Sequence, residues 1–300
     1  MLSSIPSVGS KVWLITGASS GFGKRLMIHA VARGDRVIAA ARSLEKLEQS
    51  IADSDIKDKD RVRPLQLDVT DGEEKIKPQI DQAAKFWGHI DILVNNAGYG
   101  LPGLIEEGGS KLLRRQFDTN VFGVLDVTTA TLPYLRQSKD SCVVVIGSRS
   151  AWKAELPGLG HYAASKAAIH GKFTVTESLM SELSPFNIKV LLVQPGAFRT
   201  EGIYGQKYYL DNPIPAYDEL RGRSHERFLS VPGSEKGDPD KAAKAIIDVV
   251  KGEGAAKGRP WPNYLVLGND AEADTRNKID KVLGALDLYE DVTRGMNFDE

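Results

Sequence analysis

The chain alternates between short apolar runs and longer segments in which apolar residues recur every three or four positions. Seven of the runs have the length of strands, and several are apolar at consecutive positions, as strands covered on both faces must be. They span residues 11–16, 36–41, 62–67, 90–94, 142–146, 188–193 and 263–267. Most are separated by enough residues for a crossover helix. The pattern therefore predicts an α/β protein with a doubly wound, mostly parallel seven-stranded sheet.

The helices predicted by this pattern cover residues 22–33, 43–53, 73–87, 109–137, 160–183, 239–251 and 269–286. No linker rich in Pro, Ser or Gly divides the chain, so we expect residues 1–300 to form a single domain. The residues after Thr200 show no strand pattern and contain many aromatic residues. Because long irregular segments in compact domains are usually functional, we interpret residues 201–237 as a substrate lid. The alternative is a structural subdomain.

Composition narrows the classes of function. The 39 Lys and Arg residues nearly balance the 40 Asp and Glu residues, and like charges form no long block, which argues against a nucleic-acid surface or a polybasic membrane patch. Cys142 is the single cysteine, so an intrachain disulfide is excluded and a reducing compartment is favoured. No run of about 18 apolar residues occurs. We expect a soluble cytoplasmic protein that acts on a small molecule.

A glycine-rich turn follows the first predicted strand. In Thr16-Gly-Ala-Ser-Ser-Gly-Phe-Gly23, the glycines at 17, 21 and 23 come directly before the first predicted helix. Small residues let the backbone approach a pyrophosphate, and the helix N-terminus offers free N–H groups and the positive end of its dipole. This context predicts a dinucleotide-binding turn.

Tyr162 and Lys166 lie four positions apart in a predicted helix, and therefore on one face of it. An ammonium group beside a phenol favours the ionised phenol, so we expect the pKa of Tyr162 to be lowered from about 10 toward neutrality. Such a tyrosine can exchange a proton with an alcohol or a carbonyl compound. The pair therefore indicates acid/base chemistry.

Taken together, these motifs resemble those of the short-chain dehydrogenase/reductase family over about residues 10–200. The motifs in their family order are Thr16 to Gly23, Leu67-Asp68-Val69, Asn95-Asn96-Ala97-Gly98, Asn120 within Thr119 to Gly123, Tyr162 to Lys166, and Pro195 to Thr200. The resemblance implies the sheet order 3-2-1-4-5-6-7 and hydride transfer with a nicotinamide cofactor. Within the family it favours retinol- or steroid-type dehydrogenases and broad ketoreductases. The spacing of the glycines disfavours an epimerase or dehydratase of the related extended family.

The resemblance also implies roles for individual residues. Tyr162 would be the acid/base, Lys166 would also bind the nicotinamide ribose, and Asn120 would hold a water that links Lys166 to solvent. Asp68 would meet the adenine, and Thr200 the carboxamide. The implied cofactor-binding residues are Gly17, Ser19, Ser20, Gly21, Phe22, Gly23, Arg42, Ser43, Asp68, Val69, Asn96, Ala97, Gly98, Tyr162, Lys166, Pro195, Gly196, Phe198 and Thr200.

The end of the second strand favours NADP(H). Residues 39–41 are alanines, where an NAD-preferring enzyme would place a carboxylate for the ribose 2′-hydroxyl. Arg42 follows, and its planar guanidinium can grip a 2′-phosphate with the Ser43 hydroxyl adjacent. A charge-assisted hydrogen bond of this kind contributes roughly 1.5–3 kcal/mol. The alternative is that Arg42 is a solvated residue at a helix start.

The serine that polarises the substrate carbonyl in this family is displaced here. The position 13 residues before Tyr162 is Arg149, and serines flank it at 148 and 150. The run from Val145 to Ser148 matches the family's strand-end pattern, and a loop insertion costs less than a shift of register in a buried strand. We therefore favour Ser148 over Ser150. The sequence leaves open whether Arg149 faces the substrate or the solvent.

An apolar, aromatic pocket is predicted for the substrate. Its residues are Tyr99, Trp152, Leu156, Leu159, Phe198 and Tyr204. No metal site is expected, because His29, His89, His170 and His225 lack a ligand spacing, and we interpret these histidines as structural. The sequence thus predicts an NADP(H)-dependent oxidoreductase that interconverts a hydrophobic ketone or aldehyde and its alcohol. A catalytically silent NADP-binding sensor is the alternative, and a homodimer or homotetramer is left open.

Overall fold

The computed structural model describes residues 9–153, 155–170, 175–201 and 205–298. Seven strands form one sheet in this part of the chain, in the order β3-β2-β1-β4-β5-β6-β7. The strands are β1 Val12–Thr16, β2 Arg36–Ala41, β3 Val62–Gln66, β4 Ile92–Asn95, β5 Ser141–Ile146, β6 Ile188–Pro195 and β7 Tyr264–Leu267. All six strand pairs are parallel. The predicted fold class and strand order are therefore confirmed.

Helices connect the strands and cover the sheet on both sides. They are α1 Gly21–Ala32, α2 Leu44–Ala52, α3 Glu73–Ala84, α4 Ile105–Phe117, α5 Gly123–Leu135, α6 Gly160–His170, α7 Val175–Leu183, α8 Asp218–Ser230, α9 Pro239–Lys251, α10 Asn269–Leu288 and α11 Glu290–Thr293. Among the helices of the described residues, none is long and apolar enough to cross a membrane.

The helix predicted over residues 109–137 is in fact two helices. A π-helical turn, Asp118–Phe122, joins α4 to α5. The helix predicted over 160–183 corresponds to α6 and α7, and residues 171–174 lie outside the described part. Hydrophobic periodicity cannot distinguish these arrangements, because a π turn shifts the apolar face by one residue without removing it.

Two apolar layers, one on each face of the sheet, form the core. Along β1, Leu14 joins the layer under α3, α5 and α7, while Trp13 and Ile15 join the layer under α1, α2 and α9. All three side chains are fully buried. Burying a side chain of this size stabilises the fold by roughly 1.5–3 kcal/mol. Because side chains alternate along a strand, both faces can be covered only if consecutive residues are apolar.

Helix α8 was not predicted, and it lies within the segment interpreted as a lid. Only Ser224 is buried in this helix, so the apolar periodicity that marks other helices is absent. Tertiary contacts hold the segment instead. The Tyr209 N–H donates to the Pro102 carbonyl at 2.8 Å, and the Tyr208 hydroxyl donates to the Ser224 Oγ at 2.9 Å. The predicted lid therefore has a folded helix of its own.

A buried acidic residue ties the same segment to α4. Glu107, 3% exposed, forms an ion pair with Arg221 of α8. Its Oε1 also accepts a hydrogen bond from the Ile214 N–H at 2.9 Å. Breaking a buried ion pair leaves an uncompensated charge, which costs several kcal/mol. Glu107 therefore holds the segment against the start of α4.

Candidate active site

The glycine-rich turn joins β1 to α1 at the carboxyl edge of the sheet. Gly17 and Gly21 have φ angles of 65° and 57°, in the left-handed region that other residues disfavour. A Cβ atom on Gly23 would overlap the Gly17 carbonyl oxygen. The Asn96 side chain closes the turn by donating to the carbonyls of Thr16 and Gly17, at 2.9 and 3.1 Å. The first turn of α1 consequently borders an open cleft.

This cleft, of about 340 Å³, runs along the carboxyl ends of the strands. It is lined by nearly all of the predicted cofactor-binding residues, namely Gly17, Ser19, Ser20, Gly21, Phe22, Arg42, Asp68, Val69, Asn96, Ala97, Gly98, Tyr162, Lys166, Pro195, Gly196, Phe198 and Thr200. Gly23 lies behind the turn, and the Ser43 hydroxyl caps α2 by accepting from the Lys46 N–H at 3.3 Å. The cleft also has lining residues that sequence reasoning missed, which are Ala41, Leu67, Thr119, Ile146, Gly147, Glu201 and Gln206.

One end of the cleft lies at the carboxyl end of β2. Ala41 lines it there and brings no carboxylate, while the exposed Arg42 forms no ion pair within the described residues. The Asp68 carboxylate accepts hydrogen bonds from the backbone and hydroxyl of Thr70, at 3.0 and 2.7 Å. The guanidinium of Arg42 is therefore available to an anionic group in the cleft.

Tyr162, Lys166 and Ser148 meet at the opposite end of the cleft. Burial raises the pKa of Tyr162, and a hydrogen bond with Ser148 partly offsets this effect. Burial lowers the pKa of Lys166 to about 8, and its ammonium donates to the Ile146 carbonyl at 2.8 Å. The sequence-based expectation that Lys166 lowers the Tyr162 pKa is wrong, because burial of the phenol raises this pKa. The ammonium lies 6.0 Å from the ring centroid.

Asn120 is fully buried in the π-helical turn beside these groups. Its amide nitrogen donates to the Tyr99 carbonyl and to the Ser165 hydroxyl, both at 3.0 Å. Its Oδ1 accepts from the Tyr99 N–H at 3.2 Å. Single π-helical turns occur frequently at functional sites, and this one fixes Asn120 close behind Gly98 and Lys166.

Of the two candidate serines, Ser148 is the one that contacts Tyr162. Ser148 is buried and borders both the cleft and a smaller cavity, whereas Ser150 borders only the smaller one. The Ser150 N–H donates to the Ser148 Oγ at 3.1 Å. Arg149 turns away to α10, where it pairs with Asp270 and Asp274 at 3.1 and 2.9 Å.

The smaller cavity, of about 100 Å³, opens beside Tyr162. Its apolar wall consists of Pro102, Leu156, Leu159, Ala197, Phe198 and Phe228. Its polar residues include Arg149 and Lys153, whose charges are compensated by the acidic residues of α10. Phe228 belongs to α8, so the segment interpreted as a lid forms part of this cavity.

Two residues of the predicted substrate pocket have other positions. Tyr99 lines the larger cleft. The Trp152 indole N–H donates to Gln194 Oε1 at 3.0 Å, and its ring packs edge-on against His170 rather than bordering the smaller cavity. Tyr204 lies outside the described residues. The remaining predicted pocket residues, Leu156, Leu159 and Phe198, do line the smaller cavity.

Glu201 is the least expected charge in the cleft. Its carboxylate accepts a hydrogen bond from the Gly21 N–H at 3.0 Å, at the start of α1. Arg25 binds the same carboxylate through two nitrogens, each at 2.9 Å. The hydrogen bonds from Arg25 lower the pKa of Glu201 to about 2. The Glu201 carboxylate therefore already accepts a hydrogen bond from the Gly21 N–H, a group that a pyrophosphate at the start of α1 would use.

Comparison with known proteins shows the family of the chain. The sequence model of the short chain dehydrogenase family matches residues 11–205. The chain is 36% identical over 253 residues to the oxidoreductase YusZ of Bacillus subtilis, covering 81% of this chain and 85% of that protein. It is 31% identical over 244 residues to the 3-oxoacyl-[acyl-carrier-protein] reductase FabG of Thermotoga maritima, covering 81% and 91%.

The fold has a close counterpart among solved structures. A short-chain dehydrogenase from Streptomyces avermitilis is 37% identical and superposes with a TM-score of 0.80, covering 97% of this chain and all of that one. The chain therefore belongs to the short-chain dehydrogenase family, and it is an oxidoreductase.

Proposed function

We propose that this protein is an NADP(H)-dependent oxidoreductase that interconverts a hydrophobic ketone or aldehyde and the corresponding alcohol. The observation that carries the proposal is the contact of Ser148 with Tyr162 at the junction of the large cleft and the apolar cavity. A carbonyl carbon at this junction would have hydroxyl groups on one side and the cofactor cleft on the other.

The cleft fits a dinucleotide in shape and in chemistry. Gly17 and Gly23 let the turn pack tightly, because a Cβ atom on either would meet Asn96, Ala97 or the Gly17 carbonyl. The N–H groups at the start of α1 that Glu201 does not bind suit a pyrophosphate. Arg42 and the uncharged end of β2 favour a 2′-phosphate over a free hydroxyl, which supports NADP(H). When bound, the cofactor supplies or accepts the hydride.

The residues at the junction can carry the proton. Because burial raises its pKa, Tyr162 remains protonated at neutral pH and can donate its phenolic proton to a carbonyl oxygen during reduction. Ser148 can donate a hydrogen bond to the same oxygen and stabilise the charge that develops there. Lys166 and Asn120, buried behind them, are the proposed route by which the phenol regains its proton.

The apolar wall of the smaller cavity supports a hydrophobic substrate. The charges of Arg149 and Lys153 are balanced by Asp270 and Asp274, so the described residues that line the cavity offer no unpaired charge for an ionic substrate. The relative FabG is named as a reductase of 3-oxoacyl chains. This name agrees with the reduction of a ketone on a hydrophobic chain, and we propose the same class of reaction.

We further propose that residues 201–237 act as a lid. Phe228 of α8 closes the apolar cavity, and the ion pair of Glu107 and Arg221 holds α8 against α4. Loops of this kind exclude water and complete the catalytic site when they close. Opening of the lid would require the contacts of Glu107 with Arg221 and Ile214 to break. We propose that these contacts keep the lid closed.

The test is oxidation of NADPH and of NADH with a panel of ketones, aldehydes and quinones. We expect turnover with NADPH on an apolar carbonyl compound, and a loss of at least about 10²-fold in Tyr162→Phe with cofactor binding retained. In Arg42→Ala the preference for NADPH over NADH should disappear. Tight NADPH binding without turnover on any compound would instead support the silent sensor.

A further inference from the structure

His170 lies directly behind the catalytic serine. It is the last residue of α6, two helical turns after Tyr162, and its side chain is 2% exposed. The Ser148 N–H donates to its Nε2 at 3.0 Å. A Cβ atom on Gly147 would overlap the imidazole, so the ring fills the space that a side chain at 147 would need. His170 therefore contacts the turn that carries Ser148 from the side opposite the cleft.

The environment of the imidazole keeps it neutral. Burial, reinforced by the charge of Lys166, lowers the pKa of His170 to about 3. Because Nε2 accepts the hydrogen bond from Ser148, the ring proton is carried by Nδ1. Nδ1 has no hydrogen-bond partner among the described residues.

Ser148 is consequently held at two points. His170 accepts from its backbone N–H, and the Ser150 N–H donates to its Oγ at 3.1 Å. The Trp152 ring packs edge-on against the imidazole, with centroids 6.4 Å apart. These contacts fix the position of the serine.

We propose that His170 is a positioning residue for the catalytic serine, acting as a neutral acceptor that holds the Ser148 backbone in place. This inference rests on the proposed function, since it assigns the serine its role at the carbonyl. A displacement of about 1 Å at a reacting group can reduce the rate by roughly 10²-fold, so one hydrogen bond to the backbone of Ser148 can have a large effect on turnover.

The experiment combines a double-mutant cycle with hydrogen exchange. His170→Leu removes the acceptor at similar size, and His170→Gln offers an amide oxygen in its place. We expect His170→Leu to lower kcat by roughly 10- to 100-fold while the dissociation constant for NADP⁺ stays unchanged. His170→Gln should recover much of the loss. His89→Leu is the control, because the contacts of His89 among the described residues are with the backbone of Trp87 and with Asp91, at the opposite edge of the sheet.

The cycle separates positioning from a general loss of structure. In a Ser148→Ala background, His170→Leu should cause no further loss of kcat, because its effect passes through the missing hydroxyl. Equal losses in both backgrounds would overturn the proposal.

Hydrogen exchange tests the contact without turnover. The Ser148 amide should exchange faster in His170→Leu than in the wild type or in His170→Gln. Unchanged exchange would overturn the proposal even if no substrate were found, so its failure remains distinct from failure of the proposed function.

Discussion

Neutralising Glu201 should tighten cofactor binding. In Glu201→Gln the side chain keeps its size, but the charge beside the Gly21 N–H is removed. Arg25 then loses one of its two anionic partners, while its ion pair with Asp240 at 3.2 Å remains. A pyrophosphate approaching the start of α1 would meet a neutral amide instead of a carboxylate, and Asp240 alone of these two acids would compete with it for the guanidinium.

The size of the effect follows from the position of the carboxylate. Two unit charges about 5 Å apart repel by roughly 0.8 kcal/mol in water and by about 3 kcal/mol at an effective dielectric constant near 20. The Glu201 side chain is 59% exposed, so the lower part of this range applies. We expect a gain of about 1 kcal/mol, which corresponds to roughly fivefold tighter binding.

The assay is calorimetric titration of the protein with NADP⁺ and with NAD⁺. Both cofactors carry the pyrophosphate, so Glu201→Gln should tighten both equally, unlike a change at Arg42. The gain should be constant from pH 5 to 9, because a pKa of about 2 keeps Glu201 ionised throughout. Glu226→Gln, an exposed change on α8, is the control. Unchanged or weaker binding of both cofactors would refute the reasoning.

Three further predictions concern the serine, the lid and the lysine. Ser148→Ala should reduce kcat by about 10²–10³-fold with little change in cofactor affinity, and Ser150→Ala should reduce kcat much less. The opposite ranking in steady-state kinetics would assign the polarisation of the carbonyl to Ser150. Hydrogen exchange of residues 205–237 should slow when cofactor and substrate are both bound, and Glu107→Gln should speed it without ligands; equal protection in all states would favour a structural subdomain. The Lys166 pKa falls from 10.5 to about 8 on folding, so the unfolded chain binds more protons between these pH values and stability should rise with pH there. Urea unfolding should find this rise smaller in Lys166→Met, and an identical pH dependence would contradict the burial of a charged lysine.

Features that depend on local pattern could be predicted from the sequence. The strands were visible because both faces of the sheet are buried, which makes residues such as Trp13 and Leu14 apolar at consecutive positions. The glycine turn was visible because left-handed backbone and close approach both exclude side chains at fixed spacings. The preference for Ser148 over Ser150 rests on the same reasoning, since the register of a buried strand leaves little freedom, and it stays a prediction.

Features that depend on contacts between distant segments could not be predicted. Helix α8 has almost no apolar face, and the ion pair of Arg221 with Glu107 holds it from 114 residues away. Glu201 resembles any exposed acid until Arg25 and Gly21 are brought to it by the fold. No sequence motif marks His170. It accepts a hydrogen bond from the Ser148 backbone N–H, and this contact requires only that the fold bring the two residues together.

Helix α10 gives the site a dependence on the order in which the chain is made. Asp270 accepts from the Ala197 N–H at 2.8 Å and pairs with Arg149, while Asp274 pairs with Arg149 and Lys153. Both acids follow β7, the last strand of the sheet in the described residues, so the contacts that fix the loops of Ala197, Arg149 and Lys153 can form only after all seven strands have been made.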